Sequence, residues 1–520
     1  MHLLLILGLA AALFVAASFL AVYSWGRFAR RARGTPSSAL PPAESETMLD
    51  RGISSLERGA GAENGLALLP ENLDAFAARA LAARNAGRSL DLMYYLWHHD
   101  LTGRLLAHEM IAAADRGVRV RLLLDDINAR GRDTLHLALD SHPNIEVRMF
   151  NPSLARQGAL RRGLEMMLRA FSITRRMHNK AWIADGRLAI VGGRNIGDEY
   201  FDAAEAPSFR DLDVVLLGPV VAEAAAIFDA FWNSAQTIPV QALARRGRRR
   251  RADLDALRNR LDDLATGETA RPYLDRVRQR LSAAAMFADG IRIHWTTAAR
   301  VVSDPPEKAL ARGSGNWLMR RIFPVIAGAR HSLEITSPYF VPGAEGTRAL
   351  VSLVEAGVDA AVLTNSLAAT DVAAVHGGYA PWRRPLLAGG VRLYELRPDA
   401  DRRRISLFGS RGASLHTKAF TVDGRTGFIG SFNFDPRSVS LNTEMGVLFE
   451  HEALAGEMRT LFARETQPEM SYRLRVEDGA LVWEGEMDGV ARTSLREPEA
   501  TRMRRLVAMV VGWLPVHSQL

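Results

Sequence analysis

His178-Asn179-Lys180-Ala181-Trp182-Ile183-Ala184-Asp185-Gly186 opens one of the two stretches whose reading decides the fold, and Gly192-Gly193-Arg194-Asn195 closes it. The other runs from His416-Thr417-Lys418 through Asp423-Gly424 to Gly430-Ser431-Phe432-Asn433. Both fit H-x-K-x4-D-x6-G-[GS]-x-N. The His, Lys, Asp and Asn of the first copy each recur 238 positions later, since 416 − 178 = 238. Four polar positions at one offset mark an internal duplication. Duplicated halves that pack about a pseudo-twofold axis bring their equivalent motifs together, so one composite site is expected.

Within each copy the alternation of an extended strand puts the His and its Lys on one face. Two such strands place two imidazoles and two ammonium groups around one small volume, which suits a phosphodiester. Lys180 and Lys418 offset charge on the non-bridging oxygens, and Asn195 and Asn433 add amide donors. One imidazole attacks phosphorus while the other protonates the leaving oxygen. The cations are built in, so no metal and no cofactor are expected. Asp185-Gly186 and Asp423-Gly424 read as tight hairpin turns, which gives both aspartates a structural role.

Outward from the motifs, each half reads strand, helix, glycine, strand. In the first half these are 90–95, 102–116, Gly117 and 118–124. In the second they are 333–339, 346–356, Gly357 and 358–363. That βαβ order predicts an α/β fold with a largely parallel sheet covered by helices in each half, the apolar runs Val214–Leu217 and Met445–Phe449 lying centrally. The expected division is an anchor with its basic flank over 1–33, a linker over 34–60, a first domain over 61–244, a basic linker and helical connector over 245–310, a second domain over 311–467, and a C-terminal extension over 468–520.

Leu3–Tyr23 holds 21 residues without a charge, enough to span about 30 Å as a helix. Arg27, Arg30, Arg31 and Arg33 follow it, which predicts a single uncleaved span with the bulk of the chain in the cytoplasm. At the other end, Arg504-Arg505 precede an apolar run to Leu514 that is too short to span. Either it lies in the membrane interface with Trp513 at headgroup level, or it packs on the body. Arg245–Arg251, six arginines and one glycine, and the charged helix expected after it read as a solvated connector or as a patch for anionic headgroups.

The 520 residues are 48% hydrophobic and 24% charged, which excludes a disordered chain or a many-span membrane protein. The formal net charge of +8 suits an anionic partner, and the absence of cysteine excludes disulfides and thiolate chemistry. Of 66 basic residues only Lys180, Lys308 and Lys418 are lysine. Arginine is a planar fork and lysine a compact point charge. Two of the three surviving lysines sit in the motifs, as expected where arginine is chemically unacceptable.

The paired motifs resemble the HKD signature of the phospholipase D superfamily, over about residues 85–465. With Gly192 to Asp198, Ser337 to Pro342 and Gly430 to Ser438, the chain is similar to bacterial cardiolipin synthases, most of all their type C group. The better-known branch carries two N-terminal membrane segments, whereas one is visible here. The resemblance implies two phospholipase D-like α/β/α sandwich domains and a phosphohistidine intermediate, with His178 attacking and His416 protonating. It implies a carboxylate behind each histidine: Glu444 for the second and Asp211 for the first, with Asp213 as alternative. It implies transfer of a phosphatidyl group onto phosphatidylglycerol from phosphatidylglycerol or phosphatidylethanolamine, at the bacterial inner membrane. Arg194 and Arg437 are candidate headgroup contacts, and Tyr339 lines the acceptor pocket or simply packs. Hydrolysis to phosphatidic acid shares the covalent step and is the alternative. A nuclease-type phosphodiesterase is a weaker one, because a bilayer anchor makes nucleic acid a poor partner. A helper protein is not legible in the sequence.

Three further groups read as structural. His98-His99-Asp100 lacks a second cluster at ligand spacing, Asp125-Asp126 reads as a loop cap, and Met166, Met167 and Trp232 read as core.

Overall fold

The computed structural model describes residues 2–513 except 44, 58–60, 62, 130, 157, 204–207, 244–252, 280–290, 399–412 and 488. Arg245–Arg251 and the side chain of Trp513 therefore lie outside the described residues.

The first sheet is formed by β1 (Asn64–Leu69), β2 (Ser89–Tyr94), β3 (Arg119–Asp125), β4 (Ile145–Phe150), β5 (Ala181–Ala184), β6 (Leu188–Gly192), β8 (Asp213–Leu217), β9 (Thr237–Pro239) and β10 (His294–Thr296). A short β7 (Ser208–Arg210) lies outside it. The second sheet holds β11 (Ala299–Ser303), β12 (Ser332–Thr336), β13 (Asp359–Asn365), β14 (Arg392–Leu396), β16 (Ala419–Val422), β17 (Thr426–Gly430), β18 (Met445–Glu450), β19 (Ser471–Glu477), β20 (Ala480–Met487) and β21 (Val490–Ser494). The remaining strand, β15 (Ala413–Leu415), pairs only with β7.

The duplication is visible in the strand order. The first sheet reads β1-β8-β6-β5-β2-β3-β4 between its edge strands β10 and β9, and the second reads β11-β18-β17-β16-β12-β13-β14 before β19, β20 and β21. Within these two sheets, among the described residues, only β2-β3-β4 and β12-β13-β14 are parallel. The expectation of largely parallel sheets is thus corrected to mixed ones. The reason lies in the motifs: Asp185-Gly186 and Asp423-Gly424 all have positive φ, from 52° to 67°. Such a two-residue turn folds β5 onto β6, and β16 onto β17, as antiparallel hairpins.

The same aspartates fix the hairpins to the sheet. Asp185 accepts the backbone N–H groups of Gly87, Arg88 and Ser89, and Asp423 those of Arg330, His331 and Ser332. Each carboxylate therefore caps the segment leading into the strand beside its own hairpin, as the structural reading expected.

Two regions differ from the expected division. The connector does not stand in solvent: its helices Leu254–Thr266 and Arg271–Gln279 bury Leu257, Leu261, Tyr273 and Val277 against the helices Leu101–Asp115 and Asn72–Asn85. It also delivers β10 to the first sheet and β11 to the second. The strands β19, β20 and β21 of the C-terminal extension continue the second sheet.

Trp232 is fully buried, but Met166 and Met167 are about half exposed on the helix Ala159–Leu168, which buries none of its residues. The apolar face of that helix is turned outward, so the core reading of these methionines is corrected. The N-terminal helix His2–Arg31 contains a window of mean hydropathy 2.6, none of it buried, and is long and apolar enough to cross a membrane.

Candidate active site

Two short backbone bridges between the halves build the site. In β7 and β15, Arg210 lies opposite Leu415, and in an isolated parallel bridge Met177 lies opposite Thr443. The next residue of each segment is a histidine or a carboxylate, so the bridges set His416 beside Asp211 and His178 beside Glu444. His416 Nδ1 lies 2.5 Å from Asp211 Oδ2, and His178 Nδ1 lies 2.8 Å from Glu444 Oε2. This corrects the expected assignment. Both carboxylates are found, but each serves the histidine of the opposite half. Asp213 instead pairs with Arg79 at 2.8 Å and with Arg194 at 3.3 Å.

A carboxylate on Nδ1 holds the proton there and leaves Nε2 free for chemistry. His178 and His416 are 9% and 7% exposed, so little more than an edge of each ring is reachable. Tyr95 stands edge-on to His178 at 5.0 Å between ring centroids, and Tyr200 edge-on to His416 at 5.2 Å. Lys180 and Lys418 are buried, and each donates to the backbone carbonyl of its own motif histidine.

Burial dominates the electrostatics. It pushes the Lys180 ammonium down to about 7 and Lys418 to about 8, despite nearby Glu444 and Asp211, and the Lys418 charge depresses Lys180 further. Burial lowers His178 and, more strongly, His416, with the lysine charges adding to the effect on both rings. Each imidazole thus feels the lysine of the opposite motif. The site holds two lysines and two carboxylates out of water, and an anion bound beside the lysines favours their charged forms.

The two carboxylates differ. Glu444 is held below the usual range although burial opposes it: His178 faces it, and the hydroxyls of Ser431 and Ser438 donate to its two oxygens at 2.5 and 2.9 Å. Burial raises Asp211, whose Oδ1 accepts the N–H of Leu212. The variable position of the motif explains part of this difference. Ser431 supplies a hydroxyl to Glu444, whereas a Cβ at Gly193 would sit 2.2 Å from Asp211 Oδ1.

Of the asparagines, Asn195 donates to the Tyr200 hydroxyl at 2.8 Å and accepts from the N–H of Leu96, so its amide orders the pocket wall. Asn433 is buried with its side-chain oxygen unpartnered.

The headgroup candidates fare unequally. Arg194 is fully buried, donating to the carbonyls of Leu69, Pro70 and Asp211 and to Asn72. It is a structural hub, which corrects its assignment as a headgroup contact. Arg437 donates to the Thr174 carbonyl at 3.0 Å and ties the halves together. Tyr339 is half-buried and donates to Asp371, at 2.7 Å to the nearer oxygen. Asp371 is exposed and close enough to favour the charged forms of His416 and Lys418, so it belongs to the mouth of the site.

Sequence reasoning missed Asp371 and three further positioning groups. Asp125 accepts from the backbone N–H of Met177 at 2.9 Å and pairs with Arg176, which fixes the segment entering His178. Its reading as a loop cap holds, with that added role. Asp304 and Lys308 form a fully buried pair at 2.8 Å; Asp304 accepts the N–H of Glu444, and Lys308 also donates to the Ser438 carbonyl. All three lysines of the chain are therefore buried around this one site, a signal already present in the composition. His98, Asp100 and Glu199 do come together, as an ion-pair cluster in which Asp100 accepts from Gly103 and Asp198 at a helix start.

The family model described as "Cardiolipin synthase, PLD-like domain" matches residues 82–232 and 322–466. The chain is 41% identical over 471 residues to cardiolipin synthase C of Escherichia coli (strain K12), covering 87% of this chain and 95% of that protein. It is 31% identical over 446 residues to an uncharacterized protein of Helicobacter pylori (strain ATCC 700392 / 26695), covering 85% of this chain and 86% of that protein. Among solved structures, phosphatidylserine synthase from Haemophilus influenzae Rd KW20 shares the fold, with a TM-score of 0.56 at 12% identity over 89% of this chain and 96% of that one. With both motif copies intact and their histidines converging from the two halves, the chain belongs to the phospholipase D superfamily, in its bacterial cardiolipin synthase branch.

Proposed function

We propose that the chain is a membrane-anchored phosphatidyltransferase that moves a phosphatidyl group through a phosphohistidine onto phosphatidylglycerol. The observation that carries this reading is the crossed pair of imidazole–carboxylate couples flanked by two buried lysines. In the free site burial and the lysines keep both imidazoles neutral. The negative charge of a bound phosphodiester reverses that bias and allows one ring to take a proton. His178, backed by the firmly ionised Glu444, attacks phosphorus through Nε2. The bond to the headgroup oxygen breaks, and His416 gives that oxygen its proton. In the second step His416 takes the proton of the acceptor hydroxyl, the new P–O bond forms, and His178 leaves. Lys180 and Lys418 offset the charge gathered on the phosphoryl oxygens.

Phosphatidylglycerol as donor releases glycerol, and phosphatidylethanolamine releases ethanolamine. The N-terminal helix and its trailing arginines support a single pass through a bacterial inner membrane with the catalytic halves in the cytoplasm. The test uses the full chain in vesicles of phosphatidylglycerol, with and without phosphatidylethanolamine, read by lipid mass spectrometry. The expected product carries two phosphatidyl groups on one glycerol. Phosphatidic acid as the sole lipid product overturns the transferase reading in favour of hydrolysis. His178→Ala is expected to abolish turnover and any phosphatidyl adduct on the peptide containing residue 178.

A further inference from the structure

Two helices at the catalytic end of the molecule carry outward apolar stripes that no part of the described chain covers. The helix Ala159–Leu168 exposes Leu160, Leu164 and Met167, at 91%, 52% and 52%. The C-terminal helix Arg502–Trp513 exposes Met503, Leu506 and Val510, at 67%, 48% and 46%. Both sets follow i, i+3 or i+4, i+7 spacing, one stripe per helix. We infer that both helices seat in the interface of an anionic bilayer, on either side of the catalytic cleft, so that the cleft opens directly onto the lipid surface.

Three observations choose the bilayer as the occupant. First, Ala159–Leu168 packs against the N-terminal helix, which carries the apolar window. That span is tied to the body where Trp25 donates to the Pro152 carbonyl at 2.9 Å and Arg169 lies over the Trp25 ring. The first stripe is thus continuous with a membrane-crossing element. Second, topology puts both helices at the same end. Ala159–Leu168 lies beyond the C-terminal end of β4, ten residues before His178. The C-terminal helix packs on Ala373–Tyr379, which lies beyond the C-terminal end of β13. These are the strand ends at which the histidines converge. Third, arginines accompany the apolar stripes: Arg161 and Arg502 are exposed, and Arg162 is half-exposed, as suits anionic headgroups. The C-terminal helix is also coupled to the mouth of the site. Arg504 donates to the carbonyls of Leu367, Ala368 and Thr370, the segment that ends at Asp371.

The inference rests on the anchored-enzyme reading, and the chain's lack of cysteine allows a direct test. Single cysteines replace Leu160, Met167, Leu506 or Val510 in the full chain reconstituted in phosphatidylglycerol vesicles, and each carries an environment-sensitive fluorophore. Leu13→Cys reports the span. Val476→Cys, near the far end of β19 and so at the opposite edge of the sheet, reports water. The four helix labels are expected to be quenched by a lipid-borne quencher at least threefold more than the Val476 label. Quenching of the Leu13 label with any helix at the Val476 level overturns the inference alone. A Leu13 label in water overturns the anchor and the inference together. As an independent readout, Leu164→Glu with Val507→Glu is expected to slow turnover of bilayer lipid at least fivefold and leave turnover of a monomeric short-chain substrate unchanged. Equal rates in both assays also overturn it.

Discussion

At the scale of single residues, the site separates charge from shape. Lys180 and Lys418 each have their ammonium on a carbonyl of their own motif with no solvent around it. A guanidinium brings the same charge as a wide planar fork instead of a compact point charge. Lys180→Arg is expected to lower turnover at least 100-fold in a vesicle assay. Lys180→Met tests the electrostatics in the opposite direction. The Lys180 amine takes up a proton less readily in the folded chain, its pKa pushed down to about 7 from the usual 10.5. Folding below pH 7 therefore costs free energy that is absent above about pH 10.5. Lys180→Met is expected to be inactive yet more stable by on the order of 2 kcal/mol at neutral pH, the gain shrinking as pH rises toward 10. Denaturant melts across that range check it. The motif residues were legible because reactive groups recur at fixed spacing. Arg194 was not: in a chain with 63 arginines nothing local marks one as buried, and its partners Leu69 and Asn72 lie 125 and 122 residues away in sequence.

At the scale of elements, the hairpins and βαβ units were readable from Asp-Gly turns and apolar runs. The crossed carboxylates were not. Alignment of the halves finds Asp211 and Glu444, but strand spacing carries no information about which histidine each meets. That is decided by bridges between segments more than 200 residues apart. The turn aspartates give an element-level prediction. Asp185→Ala removes the acceptor of three backbone N–H groups in a buried setting, and is expected to cost about 2–4 kcal/mol, with turnover per folded molecule largely retained. Lys308→Met leaves Asp304 buried without its partner, and is expected to cost about 3–5 kcal/mol. Combining it with Asp304→Asn is expected to recover part of that loss. Thermal melts of the single and double variants measure both.

At the scale of the whole molecule, one chain supplies one site. Mixing full-length His178→Ala with full-length His416→Ala is expected to restore no activity, because neither chain can contribute its intact histidine to the site of the other. Recovery of more than a few percent of wild-type turnover would show exchange of halves between chains. The division into halves was visible in the sequence, whereas the shared use of the connector was not. β10 and β11 are three and five residues long and go to different sheets, too short for periodicity to reveal.

The crossing of partners between halves also governs when the enzyme becomes dangerous to its surroundings. On the proposed anchored reading, the N-terminal helix reaches the lipid bilayer while the C-terminal half is still being translated. His178 is by then complete in sequence, yet Glu444 has not been made, and Asp211 waits for an imidazole that does not exist. On the proposed mechanism the nascent chain therefore lacks a competent nucleophile, and reactivity switches on only when Thr443 and Glu444 are made and meet Met177 and His178.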